Sequence, residues 1–407
     1  MKYFFLAITA ICIHFNGYSQ SFSPEKVGKH IKYLASDKLK GRGPGSKGDK
    51  LSQKYIIKQF TEIGLIPKGT AGFRQPFAYS EHLNPHEQTA GGSAFNTANV
   101  VGFLDNGAEN TIVIGGHFDH LGTDGRHSSL DANPAGKIHN GADDNASGTA
   151  GVIELARYFA KNTQKEAYNF LFIAFSGEEA GLMGSKYFTE NPTIDLSKVD
   201  FMINLDMIGR LNKGRTVIIH GVGTSNAFVP LIHNMISPFA LATDSAGVGP
   251  SDHTSFYLKD IPVLFFFTGV HSDYHKPSDD FDKINVPGET EVLSYIAMMT
   301  DSLCKYPKLA FQKTRTREAK TSSFRVSLGV MPDYAFSGEG LRIDGVTEDK
   351  PAEKAGLKKG DIVTKLGEYD IKDIYSYMDA LNQFEKGKKT TVTVKRGTET
   401  LTMEVTF

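Results

Sequence analysis

The sequence predicts an α/β fold, a three-layer mixed β-sheet flanked by helices, followed by a small β-rich domain at the carboxyl end. Short apolar runs rich in β-branched residues alternate with helical patterns over the first three quarters of the chain. A polar, charged stretch then precedes a region of short alternating strands. At 407 residues and 40% hydrophobic, the chain has room for two packed cores. Its 45 basic side chains nearly cancel 46 acidic ones, so no global charge steers it toward nucleic acid or an acidic membrane.

Met1 to Gln20 combines Lys2, an apolar run from Tyr3 to Ile13, and the small or polar residues Asn16, Gly17, Ser19 and Gln20, the pattern of a signal peptide. A membrane anchor needs about 20 apolar residues, and His14 and Asn16 interrupt this run first. Bulky Ile11 before Cys12 argues against a lipid anchor. The expected mature chain is exported, periplasmic or secreted, has no transmembrane segment, and keeps only Cys304, which excludes an intramolecular disulfide.

Ser23 to Ala35 opens Ser-Pro-Glu and reads as a capped amphipathic helix; Leu51 to Ile63 reads as a second, stopped by Gly64. The glycine-rich Lys40 to Ser46 between them lacks the ending of a phosphate-binding loop and reads as a connector. Thr111 to Gly116 is apolar on both faces, as a central strand is. The signature returns at Asn169 to Phe175, Val199 to Leu205, Thr216 to Ile219 and Ile261 to Phe267. Helical patterns fall at Ser147 to Lys161, Gly181 to Glu190, Ser225 to Ile236 and Glu289 to Cys304.

In an open α/β sheet, ligands gather beyond the carboxyl ends of the strands. His117, Glu178, Glu179, Asp206 and His275 all follow predicted strands, and Asp144 precedes a predicted helix. Taken singly, Asp144 reads as a helix cap and the glutamate pair as solvated charge. Together these residue types read as a divalent-metal site. Spacing alone does not separate Asp143 from Asp144. Asp119 reads either as a loop cap or as the acceptor of the second imidazole proton of His117. A Ser/His/Asp triad at Ser251-Asp252-His253 is excluded, because adjacent residues cannot face one another and no Gly-x-Ser-x-Gly elbow is present; His253 reads as structural or pocket-lining.

Five segments, Gly116 to Asp119, Gly141 to Gly148, Phe175 to Glu179, Asn204 to Gly209 and Tyr274 to Asp279, resemble in order and spacing the motifs of the bimetallic zinc aminopeptidases. This is the aminopeptidase Y, glutamate carboxypeptidase and transferrin-receptor family of clan MH, and the resemblance runs from Ser23 to about Tyr306. It implies two Zn2+ ions bridged by Asp144, with His117 and Asp206 completing one and Glu179 and His275 the other. It further implies Glu178 as general base and Tyr274 as a donor to the developing oxyanion; a core tyrosine is the alternative. Two such ions lower the pKa of a water and polarise the scissile carbonyl.

Ser327 to Val330, Gly340 to Thr347 and Lys350 to Val363, with Pro-Ala-x-x-Ala-Gly-Leu-x-x-Gly-Asp, resemble a PDZ domain of the bacterial protease type. The resemblance implies that a peptide adds as a strand beside the helix Asp373 to Phe384, its carboxylate at Leu328, Gly329 and Val330; a purely structural domain is the alternative. The expected division is a signal peptide at 1–20, a zinc peptidase domain at 21–310, a linker at 311–323 and the PDZ domain at 324–407. The expected function is removal of amino-terminal residues from peptides. A carboxypeptidase or dipeptidase would need cations for a substrate carboxylate, and only Arg210 and Lys276 lie near motifs. A glutaminyl cyclase or a non-catalytic peptide-binding relative would lack metal ligands or the base, all of which are present here.

Overall fold

The structure, a computed structural model, describes residues 22–81, 93–162, 165–314 and 326–407, apart from 333–335, 337, 347–349, 373 and 382. The signal-peptide reading lies outside the described residues. In chain order the amino-terminal region runs α1 (Pro24–Leu34), α2 (Lys47–Ile63), β1 (Ile66–Pro67), β2 (Arg74–Glu81), β3 (Ser93–Leu104), β4 (Thr111–His117), β5 (Gly122–Thr123), β6 (Ile138–His139) and α3 (Gly148–Lys161). It continues β7 (Asn169–Phe175), α4 (Met183–Glu190), β8 (Val199–Leu205), β9 (Thr216–His220), α5 (Phe228–Asn234), β10 (Ala240–Thr243), α6 (His253–Tyr257), β11 (Val263–Phe267) and α7 (Val286–Leu303).

Nine of these strands form one sheet in the order β1-β3-β7-β4-β8-β11-β9-β10, with β2 paired to β3. The centre, β7-β4-β8-β11, is parallel, so four strands end on the same edge. These four are buried at every position, as their unbroken apolar runs require. Alternation along them still sorts the two faces. Ile112, Ile114, Phe170 and Phe172 pack with α1, α2, α3, α5 and α7, whereas Val113, Leu171, Ile173 and Phe175 meet α4 and α6 on the other face. The predicted three layers are present.

Caps match the sequence signals: Ser23 accepts from Lys26 N, Ser46 from Asp49 N, and Gly64 closes α2 with φ 96°. The hairpin of β2 and β3 was not expected. The predicted linker is packed at its start, where Phe311 meets Tyr257 and Gln312 N donates to Thr224 O; residues 315–325 lie outside the described set.

The terminal region builds β12 (Val330–Pro332), β13 (Leu341–Val346), α8 (Pro351–Lys354), β14 (Ile362–Leu366), β15 (Tyr369–Asp370), α9 (Ile374–Leu381), β16 (Lys389–Arg396) and β17 (Glu399–Thr406). Its sheet runs β12-β13-β14-β16-β17, and its own core joins Leu328, Ile343, Val363, Val392 and Val394 to Tyr377 and Leu381 of α9. Leu328 is buried, Gly329 has φ 78° and Val330 opens β12, an edge strand. Of the amides expected to hold a carboxylate, that of Gly329 donates to Ser327 Oγ at 3.1 Å.

Candidate metal centre

The four parallel strands deliver His117 at the end of β4, Glu178 and Glu179 after β7, Asp206 after β8, and Tyr274 and His275 in the connection after β11. Asp144 arrives from the turn between β6 and α3, and every motif residue of that turn has a partner. Asp143 Oδ1 accepts from Gly209 N, Asn145 Nδ2 donates to Leu205 O, and Asn145 Oδ1 accepts from Met207 N and Gly148 N. Thr149 Oγ1 reaches His117 O, and Ser147 Oγ accepts from Ile208 N. A Cβ on Gly148 would sit 2.3 Å from Leu205 O, so only glycine lets α3 start this close to β8. The amides of Asp143 and Asp144 point at the Asp279 carboxylate. The result turns the side chain of Asp144 to the sheet edge and that of Asp143 away, onto His271 at 3.1 Å.

Asp144 lies between two imidazoles. His117 Nε2 is 3.4 Å from Asp144 Oδ1, and His275 Nε2 is 3.3 Å from Asp144 Oδ2. His117 Nε2 is also 3.4 Å from Asp206 Oδ1, and His275 Nε2 is 3.2 Å from Glu179 Oε2. The other nitrogen of each ring meets a backbone carbonyl, His117 Nδ1 at Asp119 O (3.2 Å) and His275 Nδ1 at Ser128 O (3.1 Å). A carbonyl only accepts, so each Nδ1 carries a proton, and Nε2 is the nitrogen each ring turns toward Asp144. Here the Asp119 expectation is corrected in its atom. The carboxylate is 3.8 Å from His117 Nδ1 and instead accepts the Glu178 amide, so the main chain of Asp119 orients the ring.

Two further contacts were not foreseen. His120, read only as a loop histidine, sends Nδ1 to Glu179 Oε1 at 2.7 Å, and Ser251 Oγ donates to Asp206 Oδ2 at 2.8 Å. The triplets His117–Asp144–Asp206 and His120–Asp144–Glu179 each bring three ligand atoms within 4.8 Å of one another. His253 is buried and stacks on Phe265 with ring centroids 4.7 Å apart, a structural placement. His139 meets Ser129 Oγ, which also reaches His275 O at 3.4 Å.

The electrostatics ask for cations. Burial and the neighbouring Glu179, Asp252 and Asp206 raise the Glu178 carboxyl well above its ordinary range against the pull of His117. Burial lowers both ring pKa values, but Asp206 and Glu178 around His117, and Glu179 and Asp144 around His275, raise them well above the ordinary value. Burial pushes Asp119 up to about 7. Asp144 Oδ2 and Asp206 Oδ1 are buried and take no hydrogen bond. Clustered carboxylates with open oxygens, and imidazole Nε2 atoms that would give up their proton to a cation, fit divalent metal, and zinc by donor type.

These groups line a cavity of ≈ 60 Å³ whose far wall is Met207, Pro250, Phe265, Phe267, Val270 and Tyr274. A larger cavity of ≈ 480 Å³ beside α7, lined by Phe22, Tyr158, Tyr295 and Met298, holds none of this chemistry.

Residues 99–300 match peptidase family M28, and residues 312–407 match the PDZ domain. The chain is 29% identical over 197 residues to leupeptin-inactivating enzyme 1 of Streptomyces exfoliatus, which covers 48% of this chain and 41% of that protein. It is 26% identical over 180 residues to a probable leucine aminopeptidase of Arthroderma otae, covering 42% and 46%. A probable zinc metalloprotease of Pyricularia oryzae is 37% identical over 114 residues, 28% of this chain and 21% of that one. The matches thus span less than half the length of these relatives. Among solved structures, an aminopeptidase from Aneurinibacillus sp. strain AM-1 superposes with a TM-score of 0.55 at 18% identity, covering 72% of this chain and 96% of that one. A Bacteroides thetaiotaomicron glutaminyl cyclase superposes with 0.53 at 18%, covering 70% and 99%, so the fold alone is shared between two chemistries. On these matches and the motif residues they contain, residues 99–300 are a peptidase family M28 region and residues 312–407 a PDZ domain.

Proposed function

We propose that the protein is an exported two-zinc aminopeptidase that releases apolar amino-terminal residues from peptides. The observation that carries this is the pair of imidazoles, each fixed by a backbone carbonyl, aiming Nε2 at opposite oxygens of Asp144. In this reading His117, Asp144 and Asp206 would hold one ion and Asp144, Glu179 and His275 the other, while His120 fixes the free oxygen of Glu179. When bound, the ions acidify a water and polarise the scissile carbonyl. The Glu178 carboxylate accepts the proton of the attacking water and hands it to the leaving nitrogen. Tyr274, stacked on His275 at a centroid distance of 3.9 Å, donates to the carbonyl oxygen as it gains charge.

Amino-terminal rather than carboxyl-terminal selection is supported by the lining. No lysine or arginine is among the described residues around the cavity, and Arg210 is engaged by Asp273 at 3.2 Å. Acidic groups suit a substrate ammonium, and the wall of Met207, Phe265, Phe267 and Val270 suits an apolar first side chain. The PDZ domain, whose sheet has β12 at its edge, recruits or orients peptides by strand addition. Export rests on the Lys2 and Tyr3 to Ile13 pattern. Peptides with free or blocked ends test the reading. Release of a first leucine, abolished by amino-terminal acetylation and indifferent to carboxyl-terminal amidation, is expected; the reverse pattern makes the enzyme a carboxypeptidase.

A further inference from the structure

Arg42 is fully buried and lies in the segment that reads from sequence as a mere connector. Lys40, Gly41 and Arg42 take left-handed backbone conformations in succession, with φ 50°, 67° and 53°. A Cβ on Gly41 would lie 2.2 Å from His139 O and 2.7 Å from Gly122 O, so the turn is wedged against β5 and β6. From there the guanidinium donates to four backbone carbonyls. Nε reaches Phe118 O at 2.6 Å, Nη1 reaches Leu34 O at 2.6 Å and Asn140 O at 2.5 Å, and Nη2 reaches Gly141 O at 2.9 Å. Phe118 directly follows His117, and Asn140 and Gly141 lead into the turn that carries Asp144. Leu34 O belongs to the end of α1, where helix carbonyls lack helical partners.

We propose that Arg42 is the positioning residue of the metal centre: one planar fork holds the His117 and Asp144 connections in register before metal arrives. It forms no ion pair within 4 Å among the described residues, yet Asp144, Asp119, Asp279 and Glu179 all act on it electrostatically. Burial lowers its pKa to about 10, so it remains a cation at neutral pH, held beneath a cluster of carboxylates. Geometry and charge therefore act together. Lysine supplies the charge but has no rigid fork to reach separate carbonyls.

The proposal rests on the metal reading above, and the test separates the two. Full-length Arg42→Lys and Arg42→Gln are compared with the unaltered protein for zinc affinity, by competition with a chromophoric chelator, and for the visible spectrum of the cobalt(II) form. Retained far-ultraviolet circular dichroism, zinc binding weakened about 10–100-fold and an altered cobalt spectrum are expected, with Arg42→Lys the milder variant. A lowered melting temperature with unchanged zinc affinity and cobalt spectrum would reduce Arg42 to a general fold stabiliser and overturn the proposal. Failure of the unaltered protein to bind zinc defeats the metal reading itself. Should both variants fail to fold, hydrogen exchange on the unaltered metal-free protein decides. Segments 117–121 and 139–147 staying protected after chelation supports the clamp, and their selective exposure contradicts it.

Discussion

His120 Nδ1 lies 2.7 Å from Glu179 Oε1, and that contact leaves Oε2 as the oxygen facing His275. The neighbouring imidazoles hold the Glu179 carboxyl well below its ordinary range although burial alone would raise it, so Nδ1 is the donor. Asn in place of His120 can offer an amide donor from nearly the same point, whereas Phe cannot. His120→Phe should weaken zinc binding about 10–100-fold and His120→Asn should restore most of it, measured by chelator competition. Equal loss in both variants would make His120 a ligand instead.

Among the described residues Glu178 joins neither ligand triplet, and it sits 3.9 Å from His117 Nε2 on the cavity wall. Glu178→Gln should lower kcat about 10²–10⁴-fold, with two zinc ions still bound by elemental analysis. Loss of zinc in step with activity would assign Glu178 to the ligand set.

Asp144 offers one oxygen to each imidazole, so its removal should empty both sites at once. Asp144→Asn is expected to retain less than one zinc per chain, while Asp206→Asn retains one. Removing metal from the unaltered protein should also lower the melting temperature by roughly 5–10 °C, since ligand at about 100 Kd contributes about 2.7 kcal/mol per site. Calorimetry with and without chelator measures it.

Glu289, in the first turn of α7, is fully buried, and neither carboxyl oxygen takes a hydrogen bond. Burial and then the charge of Asp143 raise its pKa well above the ordinary value. The folded state therefore keeps a proton that the unfolded chain has released, and stability falls as pH rises from the unfolded pKa toward the folded one. Glu289→Gln mimics the protonated form. In urea unfolding of the metal-free protein it should add about 1–3 kcal/mol at pH 8 and nothing near pH 4. A gain that is the same at both pH values would contradict the assignment.

What was legible in the sequence follows burial on both faces. Asn169 to Phe175 and Val199 to Leu205 were readable to the residue because their apolar runs are unbroken. The β2–β3 hairpin was not, because Gln75, Thr97 and Asn99 are buried in it. Asn99 Nδ2 donates to Gln75 Oε1 at 3.0 Å, a pairing that no hydrophobic pattern announces. The ligand candidates were visible because the strand ends place them at one edge. Their support was hidden for a different reason. Arg42 acts on main-chain carbonyls, and Ser251 on Asp206 across 45 positions, contacts that carry no local signature. The helix expected from Ser147 begins one residue later, after a kinked turn in which Asp144 has φ −104° and ψ 92° rather than a simple cap's geometry.

Zinc titration of the metal-free protein, followed by release of p-nitroaniline from leucine p-nitroanilide, tests the central claim most directly. Activity that is absent at the start and reaches its maximum near two equivalents per chain is the expected result. Hydrolysis that needs no metal, or that never appears while two zinc ions bind, would contradict it.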